Sequence, residues 1–135
     1  MRPLLLLCVA LAVAGCDSAL TDADGFSATL TTDGFEYAPG AEAELRVENT
    51  GTVPIAFGPP SCYAKLESER TEGAWGPVTR DDTAACATVV VVLPPGEAAV
   101  STIPLDVEPG TYRLRLDVSD EEEELRLSTA PFVVG

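Results

Sequence analysis

Residues 111–118 alternate without interruption. Tyr112, Leu114, Leu116 and Val118 fall on one parity, and Arg113, Arg115 and Asp117 on the other. Successive side chains of an extended strand point to opposite faces, so this run has one apolar and one wet side and does not fit a helix. Glu44-Leu45-Arg46-Val47-Glu48 repeats the pattern and stops at the turn signal Asn49-Thr50-Gly51. Further strands are predicted at residues 26–32, 53–57, 63–68, 87–93, 98–105 and 124–134, and no segment shows convincing helical periodicity. Short half-buried strands must set their apolar faces against each other. About seven or eight of them with regular turn signals predict an all-β, antiparallel β-sandwich.

In Glu108-Pro109-Gly110-Thr111-Tyr112 an aromatic hydroxyl follows a tight turn at the start of the best strand. This resembles the tyrosine corner of immunoglobulin-like sandwiches, in which the hydroxyl bonds back to upstream backbone. An ordinary core aromatic is the other reading of Tyr112. The β-branched run at residues 89–92 fits a strand covered on both faces, or an edge packed against the segment between Cys62 and Cys86. Pro94-Pro95-Gly96 closes it. The order Arg46-Val47-Glu48-Asn49-Thr50-Gly51, Leu66-Glu67 ahead of Trp75, Leu93-Pro94-Pro95-Gly96-Glu97, Pro109-Gly110-Thr111-Tyr112-Arg113-Leu114 and Phe132-Val133-Val134 resembles bacterial immunoglobulin-like domains. More distantly it is similar to the BsuPI-type proteinase-inhibitor domain. The resemblance implies an immunoglobulin-like sandwich over residues 26–135 and speaks for fold more than activity.

The N-terminus has a different grammar. Met1-Arg2 precedes an apolar stretch from Leu4 to Val13, which ends on Ala14-Gly15-Cys16. A charged start, a short apolar run and small residues before a cut make a secretory signal over residues 1–15. The apolar run is about half the roughly twenty residues a membrane-spanning helix needs. Val13-Ala14-Gly15-Cys16 resembles the lipobox of bacterial lipoproteins. That resemblance implies cleavage before Cys16, a diacylglyceryl thioether on its sulfur and an acylated amine. Each buried methylene adds about 0.8 kcal/mol, and two or more chains hold where one is marginal. The palmitate-type anchor would place the protein on a membrane of the bacterial cell envelope, facing the periplasm or the cell surface. Residues 16–25 read as the lipidated cysteine and a flexible tether.

About 120 residues then remain, enough for one small domain. The formal charge of −14 counts Arg2, which leaves with the signal. So acidic a surface repels nucleic acid and anionic headgroups. Cys62 and Cys86 lie in a chain bound for an oxidising compartment, and a disulfide between them is predicted. With no histidine and no Cys-x-x-Cys spacing, a metal pair is the weaker alternative.

Catalytic chemistry finds few residues to work with. The chain has no histidine, no Gly-x-Ser-x-Gly and no phosphate-loop motif, and its single lysine, Lys65, has no evident partner. No catalytic residue, metal site, cofactor or small-molecule substrate is therefore assigned. Three acidic clusters offer oxygen ligands: Asp120 to Glu124, Asp81-Asp82, and Asp22 with Asp24. None has the EF-hand pattern, and a solvated hairpin tip is the better account of the first. Trp75, in Gly73-Ala74-Trp75-Gly76-Pro77, can anchor a partner or fold back over the disulfide as immunoglobulin-like core tryptophans do, and a core or semi-core role is preferred here. The composition of Gly58-Pro59-Pro60-Ser61 predicts an exposed turn that supplies part of a binding rim. The expected function is a non-enzymatic, lipid-anchored module that binds a protein partner or supports an assembly. A membrane-presented proteinase inhibitor, whose reactive loop would lie between the cysteines, is one alternative. Carbohydrate or adhesin binding is another.

Overall fold

A computed structural model describes residues 25–79, 86 and 88–135. The alternating run becomes β9 (Gly110–Ser119), around which the larger of two sheets is built. Its even residues from Tyr112 to Val118 are buried and its odd ones lie at the surface, as the parity requires. Each edge of β9 carries two partners. On one side β11 (Phe132–Val134) pairs with its first residues and β10 (Glu124–Ser128) with its last. On the other, β5 (Lys65–Thr71) runs along Tyr112 to Arg115 and β4 (Ile55–Phe57) meets Ser119. The sheet is completed by β2 (Glu36–Tyr37) beside β11, β6 (Ala74–Pro77) beside β5 and β7 (Val91–Leu93) beside β4.

The smaller sheet has β3 (Glu42–Asn49) between β1 (Ala28–Thr32) and β8 (Ala98–Pro104). Leu30, Leu45, Val47 and Ile103 from this sheet share one core with Leu66, Leu114, Leu116, Val118 and Phe132 from the other. The rings of Tyr37 and Tyr112 flank Phe132 at 5.4 and 6.4 Å, edge-on and stacked respectively. The molecule is thus the expected all-β sandwich, with one departure from a purely antiparallel arrangement. The chain leaves the small sheet after β1 and joins the large one as β2, which runs parallel to β11.

Several strand boundaries differ from expectation, each for a local reason. The predicted strand at 124–134 is split. Thr129 Oγ1 accepts the Leu114 N–H at 3.0 Å in place of a ladder carbonyl, and Pro131 has no N–H to offer. The predicted strand at 63–68 begins two residues later, because Pro60–Tyr63 forms a single helical turn, α1, which Pro60 starts in its preferred first position. Pro60 is buried, so the segment read as an exposed turn is partly packed. Of the strand predicted at 87–93, the described residues 88–93 yield only the short β7, whose partner β4 stops at Phe57 ahead of Gly58-Pro59-Pro60. β2 and β6 were not predicted at all. β6 sits in a Gly- and Pro-rich stretch, and Gly73, at φ 77°, makes the turn that folds it back on β5. Gly25, expected in the tether, is buried, and its carbonyl accepts the Thr52 N–H at 2.8 Å. The remaining residues of 1–24, with the signal, Cys16, Asp22 and Asp24, lie outside the described residues.

Candidate functional site

The predicted cysteine pair is joined: Cys62, in α1, is disulfide-bonded to Cys86, with their Cα atoms 5.7 Å apart. The helical turn is held by Cys62 and Tyr63 N–H groups donating to the Pro59 carbonyl at 2.9 and 3.0 Å, and it packs on β8. The bond therefore fixes the chain just ahead of residues 88–93 against the body of the sandwich. From there Val91 and Leu93 turn toward the core, while Val90 and Val92 point outward at 65% and 63% exposure; Val89 is 54% exposed. This corrects one expectation for the valine run, because it is not covered on both faces. β7 is instead a terminal strand of the large sheet, and among the described residues nothing pairs with its outer edge. Tyr63, on the same disulfide-linked turn, is exposed as well.

A second constellation lies on the outer face of the large sheet, where β5, β6 and β9 run side by side. Glu67 is only 7% exposed and accepts from Arg113 Nε at 2.8 Å and from Arg115 Nη1 at 3.1 Å. The Arg113 guanidinium carbon in turn lies 4.6 Å from the Trp75 ring centre. A carboxylate between two guanidinium groups, one of them over an indole, is a stack in which each charge has a partner. Of the core or semi-core role expected for Trp75, the core placement over the disulfide does not hold. Trp75 stands half-buried outside the core, on the opposite surface of the sheet. Its four-residue strand places it across from Glu69, whose side faces outward with Glu67.

Tyr112 is both buried and bonded. Its hydroxyl donates to the Glu108 carbonyl at 2.6 Å, across the turn that starts β9. Sequence reasoning missed Asn49, which is fully buried. Its Nδ2 donates to the carbonyls of Val53 and Leu93 at 2.8 and 2.9 Å, and its Oδ1 accepts the Gly51 N–H at 3.0 Å. It thereby ties the chain ahead of β4 to the end of β7. Asn-Thr-Gly read only as a turn signal, and nothing local could have marked the amide as a buried clamp.

The Asp120–Glu123 stretch forms the tip between β9 and β10. Asp120 Oδ1 accepts the N–H groups of Glu122 and Glu123, at 2.7 and 2.6 Å, as in an Asx turn. With Val53 and Pro54 the tip lines a cleft of about 490 Å³. Asp81 and Asp82 lie outside the described residues. Among those described, no group of three or more acidic, cysteine or histidine residues is placed to hold a metal, and no helix is long and apolar enough to cross a membrane. Lys65 is exposed on the outer face of β5, opposite Arg115.

A two-sheet sandwich whose first two strands lie in different sheets, whose last strand runs parallel to the second, and whose central strand opens on a tyrosine bonded back across its turn has an immunoglobulin-like fold. No protein-family profile and no curated protein sequence matches the chain. Among solved structures it is similar to the ApaA protein from Bordetella pertussis, with 20% identity and a TM-score of 0.45 over 79% of this chain and 88% of that one. It is also similar to PapD-like domain 7 of human CEP192, with 16% identity and a TM-score of 0.38 over 88% and 94% of the two chains.

Proposed function

We propose that this is a non-enzymatic, lipid-anchored module of the bacterial cell envelope that binds a protein. The observation that carries the binding role is the disulfide-braced strand β7, an apolar edge with no partner strand among the described residues of an otherwise acidic chain. Soluble domains ordinarily blunt such edges with charge, proline or a covering loop, since an unpaired ladder invites another chain. The anchor is supported by Val13-Ala14-Gly15-Cys16, where a thiol follows the small residues a signal peptidase accepts. Cys16 then holds the domain at a membrane through acyl chains, and the polar segment after it gives reach.

Intact mass and detergent-phase partitioning of the protein from membranes, wild type beside Cys16→Ala, test the anchor. A lipid-sized mass increment that disappears in the variant is the expected result. An unmodified wild-type chain in the aqueous phase would overturn the anchored reading.

A further inference from the structure

We infer that the open edge of β7 receives an extended apolar segment of another protein, flanked by lysine or arginine, which adds to the large sheet as a further strand. The inference rests on the protein-binding reading above and names the partner's chemistry. Strand addition requires a free ladder edge with a preset backbone, together with side chains that offer alternating apolar contacts. Here the backbone is preset at both ends. Cys86 is tied to α1 on one side, and on the other the Leu93 carbonyl is held by buried Asn49. Val90 and Val92 supply the outward apolar surface on which an added strand's side chains would pack.

The charge of the partner follows from what stands beside this edge. Ile55 of β4 pairs with Leu93, so Val53 and Pro54, which line the cleft with Glu121 and Glu122, lie at the Leu93 end of β7. The tip stands two strands inward of β7 and three from an added strand, about 14 Å at ordinary strand spacing and within reach of several extended flanking residues. A basic flank there gains attraction in a cleft walled by carboxylates, while an acidic one is repelled. A second copy of this chain is disfavoured as occupant, since it would bring another formal charge of −14 to the same edge.

The test uses the detergent-solubilised full chain and a fluorescent peptide of alternating Val and Thr with Lys-Lys at one end, beside the same peptide with Glu-Glu. The Lys-flanked peptide should bind at least about tenfold more tightly, with a preference that shrinks in added salt. It should also slow amide exchange in residues 91–93. Val90→Lys with Val92→Lys, both on exposed side chains, should abolish binding without moving the thermal midpoint. Glu121→Gln with Glu122→Gln should leave the valine-edge contact but remove most of the Lys preference. No binding, or binding that survives the valine substitutions, overturns the proposal. So does a dimer of the chain that the same substitutions dissolve, which would make the occupant a second copy. The proposal's failure is separable from failure of the broader reading. An envelope partner cross-linked equally to wild type and the valine variant sinks only the edge, whereas no partner for either sinks the module.

Discussion

At the scale of single residues, two hydrogen-bonded phenols set up the end of the sandwich where β9 begins and β2 joins the sheet. Tyr112→Phe keeps the ring against Phe132 and removes only the bond to the Glu108 carbonyl, so urea unfolding should show a loss of about 1 to 2 kcal/mol at an unchanged m-value. An unaltered midpoint would mean the ring alone holds the turn. Tyr37 donates to Asp33 Oδ1 at 2.6 Å, and the Glu44 N–H donates to the same oxygen at 3.0 Å. The Tyr37 bond, with the Glu44 amide second, holds the Asp33 carboxyl below its ordinary 3.8. A carboxyl depressed on folding stabilises above its unfolded value and loses that contribution as pH falls through the folded one. Asp33→Asn should therefore be less stable than wild type at neutral pH, with a small gap because Asp33 is exposed, and the gap should close below pH 3.8. Burial, then the bond to Asp33, raises the Tyr37 phenol above its ordinary 10.0, so its contribution is complete below pH 10.0 and is lost as pH rises from there through the higher folded value.

Among the elements, α1 and the valine run depend most on a single covalent link. Cys62 and Cys86 are 24 residues apart in sequence. Chain-entropy reasoning puts the stabilisation from closing such a loop at about 3.5 kcal/mol. Replacing both cysteines with serine should lower the unfolding free energy by roughly that amount. It should also speed amide exchange at residues 88–93 more than in β9, because the core strands keep their own partners. Equal acceleration everywhere would mean the bond acts on the whole domain and not on this edge. The same region shows where sequence reasoning reached and where it stopped. The cysteine pairing was expected of two thiols in a chain read as bound for an oxidising compartment, with no histidine and no Cys-x-x-Cys spacing to favour a metal. Whether the valines were covered depended on β7 being a terminal strand of the large sheet, which the valine run itself does not record.

For the whole molecule, charge is the dominant feature. A net formal charge of −14 on a chain of 135 residues makes the compact state self-repelling. Raising ionic strength from about 0.01 to 0.15 M shortens the Debye length from roughly 30 to 8 Å. The thermal midpoint should therefore rise with sodium chloride. A midpoint that falls would show that local ion pairs, chiefly Glu67 with Arg113 and Arg115, outweigh the long-range repulsion.

The faces of β3 and β9 and the all-β class were legible in the sequence by itself, because side-chain parity along a strand is a local property and apolar residues mark the buried side. The bonded hydroxyl of Tyr112 was legible too, as one of two readings of an aromatic just after a Pro-Gly turn. Tertiary structure alone decided the rest. It placed Trp75 on the outside of the sheet beneath Arg113, carried the chain from β1 across to β2, made Asn49 a buried clamp and left β7 at an edge. These outcomes share a physical cause. Each depends on which distant strand lies alongside and where that strand ends, and no pattern within a few residues of the site records either.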